Sequence, residues 1–562
     1  QDGFLEGMKD GNDQRPPVHQ GALSQFQEIW NRSGVQKQVS EDYEKGNTIV
    51  FTGHAMGGGI AALATLRMLE MQRGLPKSVF CITFGFPLIG DEILARGVRR
   101  KKWADQFCHV VLRRDALSRI LLVPSISVSK PLEALLPYWN RSMQSAADSM
   151  GSTDLPMAET LPGGIPEFVA TVVQHCSAVS NYTSAAKMSP NNPLIAAVKP
   201  LVKLSPYRPF GYYLFCSSSG AILIENHYAV LPILYFSLQT LGANLEDFIL
   251  QHVGYGYILP NALQNIVKFN ELSDLPLSDA GYQDPRIKTQ LDALGLGIQN
   301  CQARLALRAA GQVLKQQSEN LAILEREYPK KMETPMEKLA EYRQLCLRNE
   351  TVYYDAFKKK QRGNVDFQAN LNRLELAGWW DEIIQNKFDK DELPDDFQCR
   401  KEWITRGTHY RLLVEPLDIA NYYRLGKNED SGPYLRNARP RRYTILQKWL
   451  EENNVIQQQQ PSPTGSDQPT MLTQDSCLWA HVEEIACLTL ANNAGVHENS
   501  IAGLEKSLRP LIDANGLSME ELVASNSTFN RVVKRLWENM TPLQKSTSPI
   551  SDVIGRHPEL MN

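Results

Sequence analysis

The hydrophobic pattern divides the 562 residues into two halves of different periodicity. In the first half, short apolar runs bounded by turn residues read as strands: Ile49–Phe51, Ser78–Phe84, His109–Leu112, Gly211–Cys216 and Ala221–Ile224. Helical patterns alternate with the first of these. Leu23, Phe26, Ile29 and Trp30 keep helical spacing within Gly21–Lys37, and Ile60–Glu70 is rich in Ala and Leu. Strand, helix, strand, helix, strand in this order predicts a parallel sheet, with Ser217–Gly220 turning the last two strands into a hairpin. The second half lacks strand patterning. Ile287–Glu327, Pro335–Gln361, Asp366–Phe388 and Trp479–Leu543 carry apolar residues at three- and four-residue spacing and predict an all-α domain.

These patterns set the expected organisation as a domain over 1–274, a polar boundary near Asp274–Asp284, and a helical domain over 285–562. Within the first, 124–206 switches to Pro- and Gly-broken helical stretches and reads as an inserted lid or cap. Within the second, the Gln- and Pro-rich block 454–475 reads as a low-complexity loop.

The chemistry concentrates where the first strand ends. Thr52-Gly53-His54-Ala55-Met56-Gly57-Gly58-Gly59 runs from strand to helix through a Gly-x-x-x-Gly turn, the form of the nucleophile elbow of an α/β-hydrolase. The nucleophile position is Ala55, and a methyl group can neither attack a carbonyl nor give a proton to a base. An acid and then a histidine follow a hydrolase nucleophile in chain order, and Asp115 and His252 fit that order. Asp115 equally reads as a loop carboxylate among Arg113, Arg114 and Arg119, and His252 as a helix-end imidazole. If hydrolysis survives, it needs another nucleophile, such as Ser118 or a water held by His252.

Composition narrows the classes. With 43% hydrophobic and 22% charged residues the chain is globular, and a net charge of -3 gives no general attraction to nucleic acid or anionic lipid. Nine cysteines without a C-x-x-C pair exclude the common zinc spacings and favour a reducing compartment. No apolar run is long enough to span a bilayer. Only about fifty residues precede the elbow and the chain opens on Gln1, so an N-terminal part is expected to be missing. Basic character is local. Tyr422, Arg424 and Lys427 lead into Arg439-Pro440-Arg441-Arg442-Tyr443, where guanidinium forks and aromatic faces suit a phosphorylated ligand, although a solvated basic loop has the same composition.

Tyr353-Tyr354-Asp355-Ala356-Phe357-Lys358, Asp366-Phe367-Gln368-Ala369-Asn370, Leu374-Glu375-Leu376-Ala377-Gly378, Trp403-Ile404 and Glu415-Pro416-Leu417-Asp418-Ile419-Ala420-Asn421-Tyr422 form a series that continues into Gly432-Pro433-Tyr434-Leu435 and Arg439-Pro440. This series resembles the C-terminal EP domain of the plant immune family that contains Enhanced Disease Susceptibility 1, Phytoalexin Deficient 4 and Senescence-Associated Gene 101. The lipase-like half in front extends the resemblance over nearly the whole chain, leaning toward the Phytoalexin Deficient 4 branch.

The resemblance implies a pseudoenzyme of innate immunity, located in cytoplasm and nucleus. Its triad positions would be Ala55, Asp115 and His252. It would pair with Enhanced Disease Susceptibility 1 and bind a 2'-(5''-phosphoribosyl)-5'-adenosine mono- or diphosphate made by Toll/interleukin-1-receptor-type NADases. The loaded pair would then recruit a helper nucleotide-binding leucine-rich-repeat receptor of the Activated Disease Resistance type. Implied ligand contacts are Tyr422, Arg424, Lys427, Arg439, Arg442 and Lys401, with a further basic contact among Lys330, Lys331 and Lys338.

Overall fold

A computed structural model describes residues 4–5, 8–9, 14–71, 78–123, 167, 169–176, 205–217, 220–238, 251–252, 254–264, 281–296, 301–359, 363–457, 476–490, 504–505, 527–540, 542–548 and 550–556. Most of the expected lid, the 274–280 part of the expected boundary and all but the start of the low-complexity block lie outside these residues. The chain forms two compact units, 1–318 with 394–396, and 319–393 with 397–562.

In the first unit, helices α1 (Gln20–Arg32) and α2 (Val35–Glu44) replace the single expected helix. Gly34 between them has φ +75°, a conformation that ends α1 and that a residue with Cβ adopts at a cost. The sheet follows in the order β1 (Ile49–His54), β2 (Val79–Phe84), β3 (Phe107–Leu112), β4 (Tyr212–Ser217) and β5 (Gly220–Ile224). Strands β1 to β4 are parallel, and β5 returns antiparallel as the expected hairpin, Ser217 paired with Gly220. Helix α3 (Met56–Met71) leaves β1 directly, and α4 (Glu92–Arg100) follows β2 with Asp91 as its N-cap.

One face of the sheet packs Val79, Cys81 and Phe107 against Phe26 and Trp30 of α1 and the Ala- and Leu-rich α3. Val110, Leu112, Leu214 and Cys216 pack together with Tyr255, the first residue of the helix Tyr255–Gln264. Helix α5 (His227–Phe236) therefore comes before α6 (Tyr255–Gln264) in the count, and α7 (Pro285–Ala293) follows. Leu291, Leu294, Leu296, Ala303, Ala306, Leu307 and Ala310 are buried in one cluster with Tyr213, Phe215 and α5. That burial carries the first unit past the expected boundary, to Ser318.

Helix α8 (Cys301–Arg348) runs unbroken for 48 residues, through Pro329 and Pro335, where the sequence pattern suggests two helices. Each proline removes one N–H, orphaning the carbonyls of Glu325 and Lys331. Both residues are exposed, so water can serve those carbonyls. The second unit continues with α9 (Tyr353–Lys358), α10 (Asn364–Asp381), α11 (Lys401–Arg424), α12 (Arg441–Gln457), α13 (Leu478–Leu490) and α14 (Thr528–Asn539). Two π-helical segments, Glu382–Phe388 and Tyr434–Ala438, interrupt the α pattern. One core, with Trp380, Tyr354, Tyr410, Tyr443 and Trp449 buried in it, joins these helices.

Candidate functional site

The elbow is built as the glycines dictate. A Cβ on Gly53 would lie 2.2 Å from the carbonyl oxygen of Gly57, so only glycine lets β1 turn this tightly into α3. Ala55 sits at the apex with φ +50°, in the left-handed region that side chains adopt at a cost, and its N–H donates to Phe84 O at 2.8 Å. The strained apex of a nucleophile elbow is thus present, carrying a methyl group.

Asp115 and His252, 137 residues apart, meet at 3.0 Å between Oδ1 and Nδ1. Asp115 is fully buried. Burial raises its pKa, but the imidazole of His252, hydrogen bonds from His252 and Tyr255, and Arg119 outweigh that and hold the carboxyl below its usual range. An ionised carboxylate only accepts, so Nδ1–H of His252 is the donor. The Tyr255 hydroxyl donates to the second oxygen, Oδ2, at 2.8 Å and accepts from Leu112 N–H at 3.1 Å. His54, the residue before the apex, packs its ring at a tilt against that of His252 with centroids 4.3 Å apart and donates from Nε2 to the His252 carbonyl at 2.9 Å. Burial, then the neighbouring His252, lower the pKa of His54. Gly85 closes the floor, and a Cβ there would lie 2.5 Å from Asp115 Oδ2.

Of the three arginines expected around Asp115, Arg119 spends its fork on backbone carbonyls, among them Leu112 O, Asp115 O and Leu234 O. The reading of Asp115 as a loop carboxylate salt-bridged among arginines therefore gives way to an acid that orients an imidazole. Ser118 is corrected as an alternative nucleophile. It is 1% exposed, its Oγ donates to Asp115 O at 2.8 Å, and it accepts from Arg119 at 2.7 Å. Tyr255 and His54 went unassigned in the sequence, where only the one-turn spacing from His252 to Tyr255 could have signalled the first.

The expected ligand residues of the helical unit separate by burial. Arg439 forms a two-pronged pair with Glu415 at 2.7 and 3.2 Å, and Glu415 is fully buried. Burial works against the charge of Arg439, and Glu415 more than offsets it, raising the pKa. Arg442 is 9% exposed and donates to Tyr410 Oη at 2.8 Å, to Asp381 at 2.9 and 3.2 Å and to Asp418 at 2.9 Å. Tyr422 is buried and its hydroxyl donates to Gly432 O at 2.7 Å. For these three, hydrogen bonding is already met inside the fold, which favours a structural role.

Arg424 behaves otherwise. Its guanidinium lies 5.3 Å from the centroid of Phe357, donates to Phe357 O at 3.1 Å, and borders a cavity of about 520 Å³ with Phe367, Asp366 and Asn370. Phe367 is 58% exposed. Lys401 and Lys427 are exposed at the starts of α11 and of a helical turn at Lys427–Ser431. Lys330 is exposed, and Lys331 lies 5.1 and 5.0 Å from the ring centroids of Tyr328 and Trp379 while pairing with Glu327. Lys338 lines a separate groove. Among the described residues there is no cluster suited to a metal ion, the thiols are free, and no helix is long and apolar enough to cross a membrane.

Comparison with known proteins returns the two halves in order. Residues 2–124 match the class 3 lipase family, and 337–552 match the EP domain of Enhanced disease susceptibility 1 protein. Protein EDS1L of Arabidopsis thaliana is 30% identical over 93% of this chain and 83% of its own length, and protein EDS1 is 29% identical over the same shares. Lipase-like PAD4 of that plant is 26% identical over 84% of this chain and 69% of its own. These identities do not carry the leaning toward the Phytoalexin Deficient 4 branch. A lipase-type half joined to an EP domain, matched over most of its length by such relatives, means that the chain belongs to the EDS1/PAD4 family of lipase-like plant immune regulators.

Proposed function

We propose that this protein is a non-hydrolytic member of its family, which works by holding a partner and a nucleotide. The observation that carries the reading is Ala55 at the strained apex beside an otherwise assembled Asp115–His252 pair. Acyl transfer needs an oxygen or sulfur at that apex, and Ser118 Oγ is instead committed to Asp115 O. His252 retains its fixed tautomer with nothing to deprotonate at the apex.

The lipase-like half then serves pairing with a second family member, Enhanced Disease Susceptibility 1 in the expectation drawn from the sequence, and the EP domain serves a phosphoribosyl-adenine nucleotide. The cavity beside Arg424 supports this reading, since the exposed Phe367 offers a face for a purine and Arg424 offers a fork for phosphate. Recruitment of a helper nucleotide-binding leucine-rich-repeat receptor by the loaded pair completes the proposal.

Titration calorimetry of the purified pair with synthetic 2'-(5''-phosphoribosyl)-5'-adenosine monophosphate tests the binding half. Arg424→Ala is expected to weaken binding at least tenfold, and unchanged affinity overturns the assignment of that cavity. Ester hydrolysis tests the other half. The parent is expected at the background rate and Ala55→Ser clearly above it; a parent as active as the variant refutes the role given to Ala55.

A further inference from the structure

The helical unit holds a second recess, a groove of about 800 Å³ between the C-terminal turns of α8 and the N-terminal turns of α10. Two helix flanks lying side by side offer the ridge-and-groove surface that a third helix fills. Leu345 of α8 and Val365 of α10 line it while 39% and 49% exposed, so apolar surface faces water at its wall. Asn372 also lines it. That residue is 6% exposed.

Charge narrows the occupant. Lys338 and Arg348 line the groove ten residues apart on α8, about 15 Å at the helical rise, and neither is ion-paired among the described residues. Glu341 between them leaves the rim net cationic. A nucleotide fits poorly, because the single ring in the lining, Tyr342, already donates its hydroxyl to Asp366 at 2.7 Å and no second aromatic face opposes it.

We propose that this groove docks an amphipathic, acidic helix of roughly ten residues from a partner protein. Its apolar side chains cover Leu345 and Val365, and a carboxylate near each end faces Lys338 and Arg348. The proposal does not depend on nucleotide binding in the cavity beside Arg424.

Fluorescence anisotropy on the full chain tests it with two labelled synthetic helices. Both carry leucine at helical spacing, and they differ in having glutamate or lysine at the two ends. The acidic peptide is expected to bind at least tenfold more tightly than the basic one. The double variant Lys338→Glu, Arg348→Glu, which changes exposed positions and leaves the fold intact, is expected to reverse that preference. Equal binding of both peptides, binding of neither, or a preference that survives the charge reversal overturns the proposal. A parent that sediments as a dimer and becomes monomeric in the double variant assigns the groove to a second copy and overturns it as well.

Discussion

Arg442 separates a structural from a ligand-binding reading of the basic segment. Replacing it with alanine removes the donor to Tyr410 Oη, the pairs with Asp381 and Asp418, and a cation that lies 4.9 Å from the ring centroid of Tyr443. The side chain of Asp381 is 34% exposed, so water takes over there at little cost. Asp418 and Tyr410 are different, because the first has a side chain 7% exposed and the second is fully buried. Asp418 keeps Arg373 and the Tyr443 hydroxyl, which limits the damage without removing it. Breaking a buried pair from one side costs about 3–5 kcal/mol, and the retained partners argue for the lower end, ~3 kcal/mol. At about 2–4 °C per kcal/mol for a unit of this size, the transition of the helical unit should fall by roughly 10 °C. Differential scanning calorimetry without added nucleotide measures this, with hydrogen exchange over α12 locating the loss. An Arg442→Ala protein that melts within about 2 °C of the parent refutes the reasoning and returns Arg442 to the ligand candidates.

Two further outcomes are expected. Burial raises the carboxyl of Glu70 to about 7, against hydrogen bonding from Leu5 N–H and the charges of Arg67 and Lys101. The folded state therefore binds a proton that the unfolded state has released, and stability contributed by this group is full below the unfolded value of 4.5 and declines as pH rises to about 7. Glu70→Gln should stabilise the protein by about 1–3 kcal/mol at pH 7.5 and by little at pH 5; an equal effect at both, read from urea midpoints, contradicts the assignment. Gly85→Ala combines φ +61° with a Cβ placed 2.5 Å from Asp115 Oδ2. It should cost about 2–4 kcal/mol and abolish the low-field Nδ1 proton resonance of His252, and a retained resonance would show that the acid–imidazole pair is not seated on this glycine.

Local pattern was sufficient where the physics is local. A glycine-bounded turn between an apolar strand and an Ala-rich helix has few other conformations available, so the elbow, its missing nucleophile and the parallel sheet were legible in residues 48–70 and the strands that follow. The chain order of Asp115 and His252 named the pair, whereas the 3.0 Å contact, Tyr255 beneath it and His54 against it arise only when β3 and α6 are brought together. Helix breaks were misjudged at Gly34 and across Pro329 and Pro335, because whether a break is tolerated depends on which carbonyls remain open to water.

The sequence by itself determined that acyl chemistry has no nucleophile at Ala55 and that a helical EP domain follows a lipase-like one. Tertiary structure alone decided what each arginine does. Composition weighs Arg424, Arg439 and Arg442 alike, since all three are cations near tyrosines. Packing places Glu415, Asp381 and Asp418 against the last two and leaves the first at the wall of a cavity, because a buried guanidinium must find its carboxylate within the fold while one at a cavity wall can answer to a ligand.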